Sequence, residues 1–443
     1  MQPNERLYLK RFFQSVADEP LEAGDPRYIA LYEDARLLGD DPVELLARAI
    51  EFSPGESVQL LSGFRGTGKS TELRRLEKRL VELGYQVVLI DIADYVNLST
   101  PIDITDFLMA LAGAFGDGLQ APEHLDKDPK HQGYWTRFAA FLQRTHIEIP
   151  EVNVEGAALK ANLKSDPTFK ERLQQRMAGH LGALAADVHR FFEDCVKLLK
   201  ERHGRDVEVV LLVDSVEQIR GTSANAADVH SSVETLFVGH ADKLKIPYLH
   251  LIYTVPPYLK VRSANLGAAY DAGAVQIFPA VKLRDQKTGE VFDAGLEALT
   301  RVVTSRAAGD WKRLLGREER LREIVLASGG HLRDLLRILS EVIRRAHDLP
   351  VNDEVVQAAI NQIRTEFLPI TNVDALWLAR IASTHKAEIE DLSRLPDLAR
   401  FFDTHVVLCY RNGPEWYDVH PLIRDIVTAQ AREIEARRSK GSP

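Results

Sequence analysis

The sequence predicts an α/β fold: a parallel sheet with helices, followed by a helical region and a small C-terminal domain of helices and a hairpin. Three observations lead to this expectation. Short apolar runs of strand character alternate with helical patterns, a glycine-rich loop follows the first of these runs, and the C-terminal part is helical except for two β-prone runs. Strands that alternate with helices along a chain typically form a parallel sheet covered on both faces.

Five apolar runs are expected to form the sheet. They are residues 57–62, 86–91, 207–213, 248–254 and 275–278. After the first run, four leucines recur at three- and four-residue intervals up to Leu83, and Gly84 follows them. This spacing predicts a helix that begins at the glycine-rich loop and ends at Gly84.

The interval between the second and third strands is too long for a simple crossover and predicts an insertion at about residues 121–206. Partial alternation of apolar residues over 147–164 predicts a small hairpin. Asp166 followed by Pro167 is typical of an N-cap and a first helical residue. The apolar stripe that follows predicts one long amphipathic helix towards Gly204. We expect that helix to pack on the sheet, with a partner-binding arm as the alternative.

Four helical patterns follow the fifth strand and predict a helical lid. They cover residues 292–307, 311–326, 332–347 and 353–367. From residue 371, two or three short helices precede two β-prone runs on either side of Asn412-Gly413, which predicts a hairpin and, with the helices, a winged helix. The expected domains are an N-terminal linker segment (1–42), a P-loop ATPase core with the insertion (43–285), the lid (286–370), and the winged helix with a C-terminal tail (371–443).

Composition excludes several classes of protein. Hydrophobic residues make up 45% and charged residues 27% of the 443 residues, which is ordinary for a folded chain. No apolar run approaches the roughly 20 residues that a membrane span requires, and the N-terminus has no apolar signal segment, so we expect a cytoplasmic protein. Cys195 and Cys409 provide neither a disulfide framework nor a metal cluster. The net charge of -9 gives no general attraction to nucleic acid or to anionic membranes.

The glycine-rich loop matches a phosphate-binding motif. Gly63, Gly68, Lys69 and Ser70 satisfy the pattern G-x-x-x-x-G-K-[ST] between a strand and a helix. Backbone N–H groups of such a loop close around phosphate oxygens, which requires glycine at the tight turns, and the helix N-terminus adds partial positive charge. Lys69 is expected to neutralise the β- and γ-phosphates, and Ser70 to coordinate Mg²⁺. The predicted nucleotide-binding residues of the loop are Gly63, Phe64, Arg65, Gly66, Thr67, Gly68, Lys69, Ser70 and Thr71.

Four further residues are candidates for catalysis together with Lys69. Asp214 ends the apolar run 209–214 and is the expected second ligand of Mg²⁺. Glu217 is the nearest carboxylate able to orient an attacking water, with a solvent-facing helical glutamate as the alternative. Thr254 ends the fourth strand and could sense the γ-phosphate or only satisfy the strand end. Arg333, which opens a lid helix, could reach the phosphates or be a solvated arginine.

These motifs resemble those of the P-loop ATPases of the AAA+ and STAND groups, which share a nucleotide-binding core, a helical lid and a winged helix. The resemblance covers about residues 43–427. Residues 328–333 resemble the AAA+ sensor 2 segment, and residues 417–424 resemble the histidine motif that ends the STAND winged helix. The resemblance implies ATP or ADP and Mg²⁺ as ligands. It also implies that His420 contacts the β-phosphate of ADP and holds a closed, inactive state.

The resemblance favours an ATP-binding and slowly hydrolysing conformational switch, a Mg-dependent ATPase. Ser215 stands where many ATPases have a second acid, and no sensor repeats follow the winged helix. A compact switch that acts through protein partners or self-association, such as one of a bacterial defence or mobile-element system, therefore fits better than a stand-alone receptor. The alternative is an AAA+ DNA-binding initiator or transposition-type regulator. Ten Lys and Arg against eleven Asp and Glu after residue 370 disfavour sequence-specific DNA binding but leave that alternative open.

Overall fold

The computed structural model describes residues 2–128, 130–145, 156–222, 224–263, 266–270, 275–307, 309–411 and 413–440. By its internal contacts the chain forms two compact units. The first, here called the sheet unit, contains Val43–Gly63 and Leu73–Ile277. The second, here called the lid unit, contains Met1–Pro42, Phe64–Glu72 and Phe278–Pro443.

A parallel sheet is the centre of the sheet unit. Its strands are β1 Val58–Gly63, β2 Gln86–Asp91, β3 Val209–Asp214, β4 His250–Val255 and β5 Gln276–Phe278. Their order in the sheet is β2-β3-β4-β1-β5, and the pairs β2 with β3, β3 with β4 and β4 with β1 are parallel. All five strands predicted from the sequence are confirmed, with ends that differ by no more than about two residues.

Helices make up most of the remaining chain. In chain order they are α1 Pro3–Ser15, α2 Pro42–Glu51, α3 Lys69–Glu82, α4 Ile104–Gly118, α5 Tyr134–Arg144, α6 Gly156–Ser165, α7 Pro167–Met177, α8 Leu181–His203, α9 Ala226–Glu234, α10 Ala241–Leu244, α11 Pro257–Arg262, α12 Asp293–Arg306, α13 Trp311–Leu315, α14 Glu318–Ala327, α15 Leu332–Arg345, α16 Asp353–Thr365, α17 Asn372–Thr384, α18 Leu395–Asp403 and α19 Pro421–Lys440. The predicted helix after the glycine-rich loop is α3, and it ends before Gly84, whose φ of 95° only glycine adopts readily.

The inserted segment differs from the prediction in two places. The hairpin predicted over 147–164 is wrong for residues 156–164, which lie in α6, while residues 147–155 lie outside the described residues. Alanine, leucine and lysine favour a helix there, and Leu159 and Leu163 bury the same helical face.

The single long helix expected after Asp166 is also wrong, because it is two helices, α7 and α8. Asp166 caps α7 as expected, since its carboxylate accepts hydrogen bonds from the backbone N–H groups of Thr168 and Phe169. The helix stops at Met177 and restarts at Leu181. Gly179 lies in the gap, and glycine is a poor helix former.

The lid is helical as predicted, with one break. The pattern expected to form one helix over 311–326 is split into α13 and α14, and Gly316 lies between them with a φ of 76°. A Cβ atom at this glycine would lie 2.9 Å from the Cβ of Pro350, so the corner has no space for a side chain. The lid therefore turns at a glycine that the apolar periodicity passes over.

The C-terminal region has the predicted winged-helix arrangement. Helices α17 and α18 precede two antiparallel strands, β6 Val407–Arg411 and β7 Glu415–Val419, and α19 follows. Asn412 of the predicted turn lies outside the described residues. The first 42 residues, expected as a linker segment, contain α1, whose Leu9 and Phe12 are buried. The fold is thus an α/β core with a helical lid and a winged helix.

Two further properties follow from burial and helix composition. Cys195 on α8 and Cys409 on β6 are both buried free thiols. Among the described residues, no helix combines the length and the apolar character that crossing a bilayer requires.

The sheet unit contains a buried histidine that makes its stability depend on pH. His230 packs on Tyr258 with ring centroids 4.1 Å apart, and burial, assisted by Arg262, lowers its pKa to about 4. The unfolded histidine has a pKa of about 6.5, so the unfolded chain takes up the proton first as the pH falls from 6.5 towards 4. We expect the free energy of unfolding to fall by on the order of 2 kcal/mol through this window. The free energy of unfolding, measured with denaturant at pH 7 and pH 4.5, should therefore change less in His230→Phe than in wild-type protein. An equal change in both proteins would contradict this prediction.

Candidate functional site

The glycine-rich loop has the backbone conformation that phosphate binding requires. Gly66 and Gly68 have φ values of 85° and 93°, in the left-handed region that glycine tolerates best. The first backbone bond of α3 runs from the N–H of Glu72 to the carbonyl of Gly68, so the N–H groups of Lys69 and Ser70 precede the helical ladder. Helix N–H groups in this position are suited to an anion.

Internal hydrogen bonds hold the loop in this shape. The hydroxyl of Thr67 and the ammonium of Lys69 each donate to the carbonyl oxygen of Phe64, both at 2.9 Å. The hydroxyl oxygen of Tyr32 lies 2.9 Å from the carbonyl oxygen of Thr67, and the backbone N–H of Leu21 donates to the hydroxyl of Thr71 at 3.0 Å. The N-terminal segment therefore supports the loop directly.

The start of the lid helix α15 also contacts the loop. The backbone N–H of Arg333 donates to the carbonyl oxygen of Gly66 at 3.2 Å, and Nε2 of His331 donates to that of Arg65 at 2.6 Å. A Cβ atom added to Gly66 would lie 2.7 Å from atoms of both His331 and Arg333. Glycine at position 66 is thus required both by its φ and by the close approach of the lid.

The winged helix also contacts the glycine-rich loop, through the side chain of Phe64. The ring of Phe64 packs edge-on against the ring of Phe402 on α18, with centroids 4.9 Å apart. Phe402 in turn stacks on Tyr417 of the hairpin β6–β7, here called the wing, at 5.8 Å. Within the lid unit, the glycine-rich loop, from here on called the phosphate loop, therefore contacts both the lid and the winged helix.

The wing contacts other segments of the lid unit through hydrogen bonds and apolar packing. The N–H of Ala280 donates to the carbonyl oxygen of Cys409 at 2.8 Å, and the hydroxyl of Tyr410 donates to the carbonyl oxygen of Gly329. Leu408, Tyr410 and Trp416 form a buried apolar cluster with Ala280. The edge of β6 therefore packs against other residues of the lid unit.

Arg333 and His420 have protein partners in this structure. The guanidinium of Arg333 forms an ion pair with Asp18 of the N-terminal segment. His420 is fully buried, its Nδ1 accepts a hydrogen bond from the backbone N–H of Leu422 at 3.3 Å, and its Nε2 lies 3.4 Å from Oδ2 of Asp334. Both ring nitrogens of His420 thus face protein groups.

Asp334 is surrounded by three histidines. These four residues, His331, Asp334, His405 and His420, are named the histidine cluster. Burial alone would raise the pKa of Asp334, but its contacts with the three histidines outweigh burial and hold the pKa below its usual range. Burial lowers the pKa of His420, and lowers that of His405 to about 4.

The sheet unit holds the remaining predicted residues. Asp214 ends the fully buried β3, beside Asp91 of β2, and one of its carboxylate oxygens accepts a hydrogen bond from the N–H of Ser215 at 2.7 Å. Glu217 lies in a short turn of 3-10 helix and is buried, not solvent-facing. The hydroxyl of Thr254 donates to the carbonyl oxygen of Val213 and accepts from the N–H of Val216, so it joins the ends of two strands. Its role as a phosphate sensor stays a prediction.

The burial of Glu217 sharpens its predicted role. We expect Glu217→Gln to lower the rate of ATP hydrolysis by about 100-fold or more, because the amide keeps the shape but cannot act as a base. ATP affinity should change little. Phosphate release and isothermal titration measure the two effects, with the exposed Glu208→Gln as the matched control. Unchanged hydrolysis would assign the catalytic base to another residue.

The structure adds residues that sequence reasoning missed. His331 lies within the predicted sensor 2 segment, but nothing in the sequence pairs it with Asp334, three positions later, or with His405. Tyr32 is far from the loop in sequence and gives no motif. The only signal was the position of His331 at the start of a helix expected to face the loop.

Comparisons with known proteins give similarity in structure only. No protein-family profile matches the sequence, and a search of curated proteins gives no match. Similar solved structures include Cdc6p from Pyrobaculum aerophilum, with 14% identity and a TM-score of 0.41 over 95% of this chain and 98% of that one. The Aeropyrum pernix ORC1 protein in complex with DNA is 13% identical, with a TM-score of 0.34 over 89% of this chain and 93% of that one. The ORC2 protein of the same organism, in ADPNP-ADP complexes, is 12% identical, with a TM-score of 0.42 over 97% of this chain and 98% of that one. At these identities and TM-scores, nothing about the ligands or partners of this chain follows.

Proposed function

We propose that this chain is an ATP-binding and slowly hydrolysing conformational switch of the AAA+ and STAND type, which acts through protein partners. One observation carries the proposal: the phosphate loop contacts the lid through Arg65 and Gly66 and the winged helix through Phe64. A change at the loop therefore acts directly on both movable parts. A bacterial defence or mobile-element system is the setting in which we expect such a switch.

The loop residues supply the chemistry of nucleotide binding. Lys69 neutralises charge on the β- and γ-phosphates, and the helix N-terminus and loop N–H groups bind phosphate oxygens. Mg²⁺ would supply positive charge that stabilises the negative charge on the phosphates during hydrolysis. The hydroxyl of Ser70 and the carboxylate of Asp214 are the donors that would hold it, and hard oxygen donors are what Mg²⁺ prefers.

Switching requires that ATP and ADP bind the two conformations with different affinity. A γ-phosphate adds charge and volume at a loop whose carbonyl groups at Arg65 and Gly66 already hold the start of α15. Any movement of these carbonyls changes two hydrogen bonds to the lid and the ring contact between Phe64 and Phe402. His420 acts in this proposal through Asp334 and His331, with contact to ADP reserved for a different conformation.

The alternative function is an AAA+ DNA-binding initiator or regulator. The winged-helix arrangement supports this alternative, but the charges of the winged helix disfavour it. Arg400 on α18 forms ion pairs with Asp374 and Asp397, and Arg394 forms one with Asp397. These arginines are therefore partly neutralised by the chain itself. Phosphate contacts need cations that are available to the DNA backbone, so a protein-facing winged helix fits the structure better.

Solution scattering with different nucleotides tests the switch. Wild-type protein with ADP and with a non-hydrolysable ATP analogue should give different radii of gyration or masses, since the two nucleotides favour different arrangements of lid and winged helix. Phe402→Leu should reduce this difference, because it removes the edge-on ring contact with Phe64 and keeps most of the apolar volume.

Phe401→Leu is the matched control, since the neighbouring ring is buried in the same helix but packs on Trp377. It should behave as wild type. Identical scattering of wild-type protein with both nucleotides, at concentrations where titration proves that both are bound, would refute a switch. A footprint on a defined DNA sequence would favour the alternative function.

A further inference from the structure

The histidine cluster lies outside the glycine-rich loop, and the phosphate-binding and hydrolysis chemistry proposed above does not use it. His331 and Asp334 belong to the start of α15, and His405 and His420 stand on either side of the wing hairpin. All four side chains are at least nine-tenths buried. So many polar groups in the interior of a protein require a physical reason.

The ring nitrogens converge on one carboxylate oxygen. Nδ1 of His331 lies 2.8 Å from Oδ2 of Asp334, and Nδ1 of His405 and Nε2 of His420 each lie 3.4 Å from the same oxygen. In the described part of the chain, neither Oδ2 of Asp334 nor Nδ1 of His331 makes an aligned hydrogen bond. A buried polar atom without such a bond costs roughly 1–3 kcal/mol, which indicates that a partner belongs between them.

The outer contact of each of two rings fixes which nitrogen carries the proton when that ring is neutral. Nε2 of His331 faces the carbonyl oxygen of Arg65 and must donate to it, which leaves a lone pair on Nδ1 of the neutral ring. Nδ1 of His420 accepts from the N–H of Leu422, so the proton of this neutral ring is on Nε2, which lies 3.4 Å from Oδ2 of Asp334. The lone pair of His331 and the carboxylate of Asp334 are then two acceptors side by side, an arrangement that a cation stabilises.

We propose that the histidine cluster binds one divalent transition-metal ion of the zinc type through Nδ1 of His331, Nδ1 of His405 and Oδ2 of Asp334. His331, Asp334 and His405 can each offer one ligand atom such that all three atoms lie within 4.8 Å of one another. Imidazole nitrogen with carboxylate oxygen is a ligand set that zinc accepts. Two ligands of a tetrahedral zinc ion stand roughly 3.4 Å apart, which is the separation of His405 Nδ1 from Asp334 Oδ2. The shorter contact of His331, at 2.8 Å, would lengthen by about 0.6 Å in such a site.

The surroundings of His331 match the usual outer shell of a metal site, whereas Nε2 of His405 makes no hydrogen bond within the described residues. Metal-binding histidines donate their other ring N–H to a carbonyl or carboxylate group, as His331 does to Arg65. Other side chains also lie close to the ligand carboxylate: Nε2 of His420 is 3.4 Å from Oδ2, and the guanidinium of Arg337 is 3.4 Å from Oδ1. His420 in this arrangement is a positioning residue.

The bound metal would join two parts of the lid unit. His331 and Asp334 come from the lid helix, while His405 precedes the first strand of the wing. Because His331 also holds the carbonyl of Arg65, the metal would fix the lid, the wing and the phosphate loop in one arrangement. A ligand that binds only the folded state raises its stability, so added Zn²⁺ should raise the melting temperature.

Metal titration of the full chain tests this proposal. After treatment with a chelator and its removal, wild-type protein should bind one Zn²⁺ per chain in isothermal titration, and Co²⁺ should give the visible absorption of an ion bound by protein ligands. His405→Ala should weaken Zn²⁺ binding at least about 100-fold, because it removes a ligand, and a lost outer-shell contact already costs 10- to 100-fold. His347→Ala, at an exposed histidine, is the matched control and should bind as wild type.

Readouts on wild-type protein keep the proposal falsifiable if His405→Ala does not fold. The competing explanation is a doubly protonated His331 paired with Asp334, without any metal. Nitrogen-15 NMR of the histidine rings would then show both nitrogens of His331 protonated, with and without Zn²⁺. That result, or Zn²⁺ binding that is absent or unaffected by His405→Ala, would overturn the proposed site. Neither measurement uses nucleotide, so the outcome of the metal test does not depend on whether the proposed nucleotide switch is correct.

Discussion

Lys69→Ala is expected to abolish ATP hydrolysis and to weaken ATP binding by roughly 10- to 100-fold. The ammonium group is a point charge at the β- and γ-phosphates, and a charge-assisted bond contributes about 1.5–3 kcal/mol. The variant also loses the bond from the Lys69 ammonium to the carbonyl oxygen of Phe64, which holds the loop closed. ADP binding should therefore weaken as well. Isothermal titration and phosphate release measure the three effects.

Lys78→Ala provides the control, because Lys78 is an exposed lysine on the same helix. It should bind and hydrolyse ATP as wild type does. Circular dichroism distinguishes loss of binding from loss of folding. A folded Lys69→Ala protein that hydrolyses ATP at the wild-type rate would remove the phosphate loop from the proposed function.

Gly330→Ala is expected to destabilise the lid unit by about 3–5 kcal/mol, at the upper end for single substitutions. Gly330 has a φ of 82°, and a Cβ atom there would overlap the carbonyl oxygen of Val281. The N–H of Val281 donates to the carbonyl of Gly330 at 3.0 Å, so the two backbones have no freedom to separate without losing this bond. Thermal or denaturant unfolding measures the effect.

Gly39→Ala separates the two causes of that loss. Gly39 belongs to the same unit and has a φ of 90°, but no atom lies within 4 Å of the position of its Cβ. It should cost only the backbone strain of a left-handed alanine, about 1–2 kcal/mol. If both variants lose the same stability, the close approach of Val281 has no energetic importance.

Much of the architecture was predictable because it depends on local patterns. The strands are short apolar runs, and the phosphate loop is a contiguous motif whose glycines serve a backbone conformation. The winged-helix hairpin was also predictable, since two β-prone runs stand close together around a turn. Information of this kind lies within a few consecutive residues.

The errors fall where local preference is weak or where distant residues decide. Alternation around residue 152 suggested strands, yet the following alanine- and leucine-rich stretch is the helix α6. The apolar stripe after Asp166 continued across Gly179, although the backbone does not. Periodicity identifies a buried face but does not show where a helix is interrupted.

The candidate site divides in the same way. Lys69 and Asp214 could be predicted as site residues because a motif and a strand end are local signals. The histidine cluster was not, since His331 and His405 meet only through the tertiary structure of the lid unit. His420 was singled out by a motif, but its partners, Asp334 and the backbone of Leu422, could not be read from it.

The burial of the two cysteines gives the protein a built-in chemical probe of motion. Cys195 belongs to the sheet unit and Cys409 to the lid unit, and both thiols are closed to solvent. A thiol reagent can modify either one only when its surroundings open, so the rate of labelling reports the opening of that region. Mass spectrometry assigns each label to its cysteine. The chain thus records the opening of its two units separately, without any introduced dye.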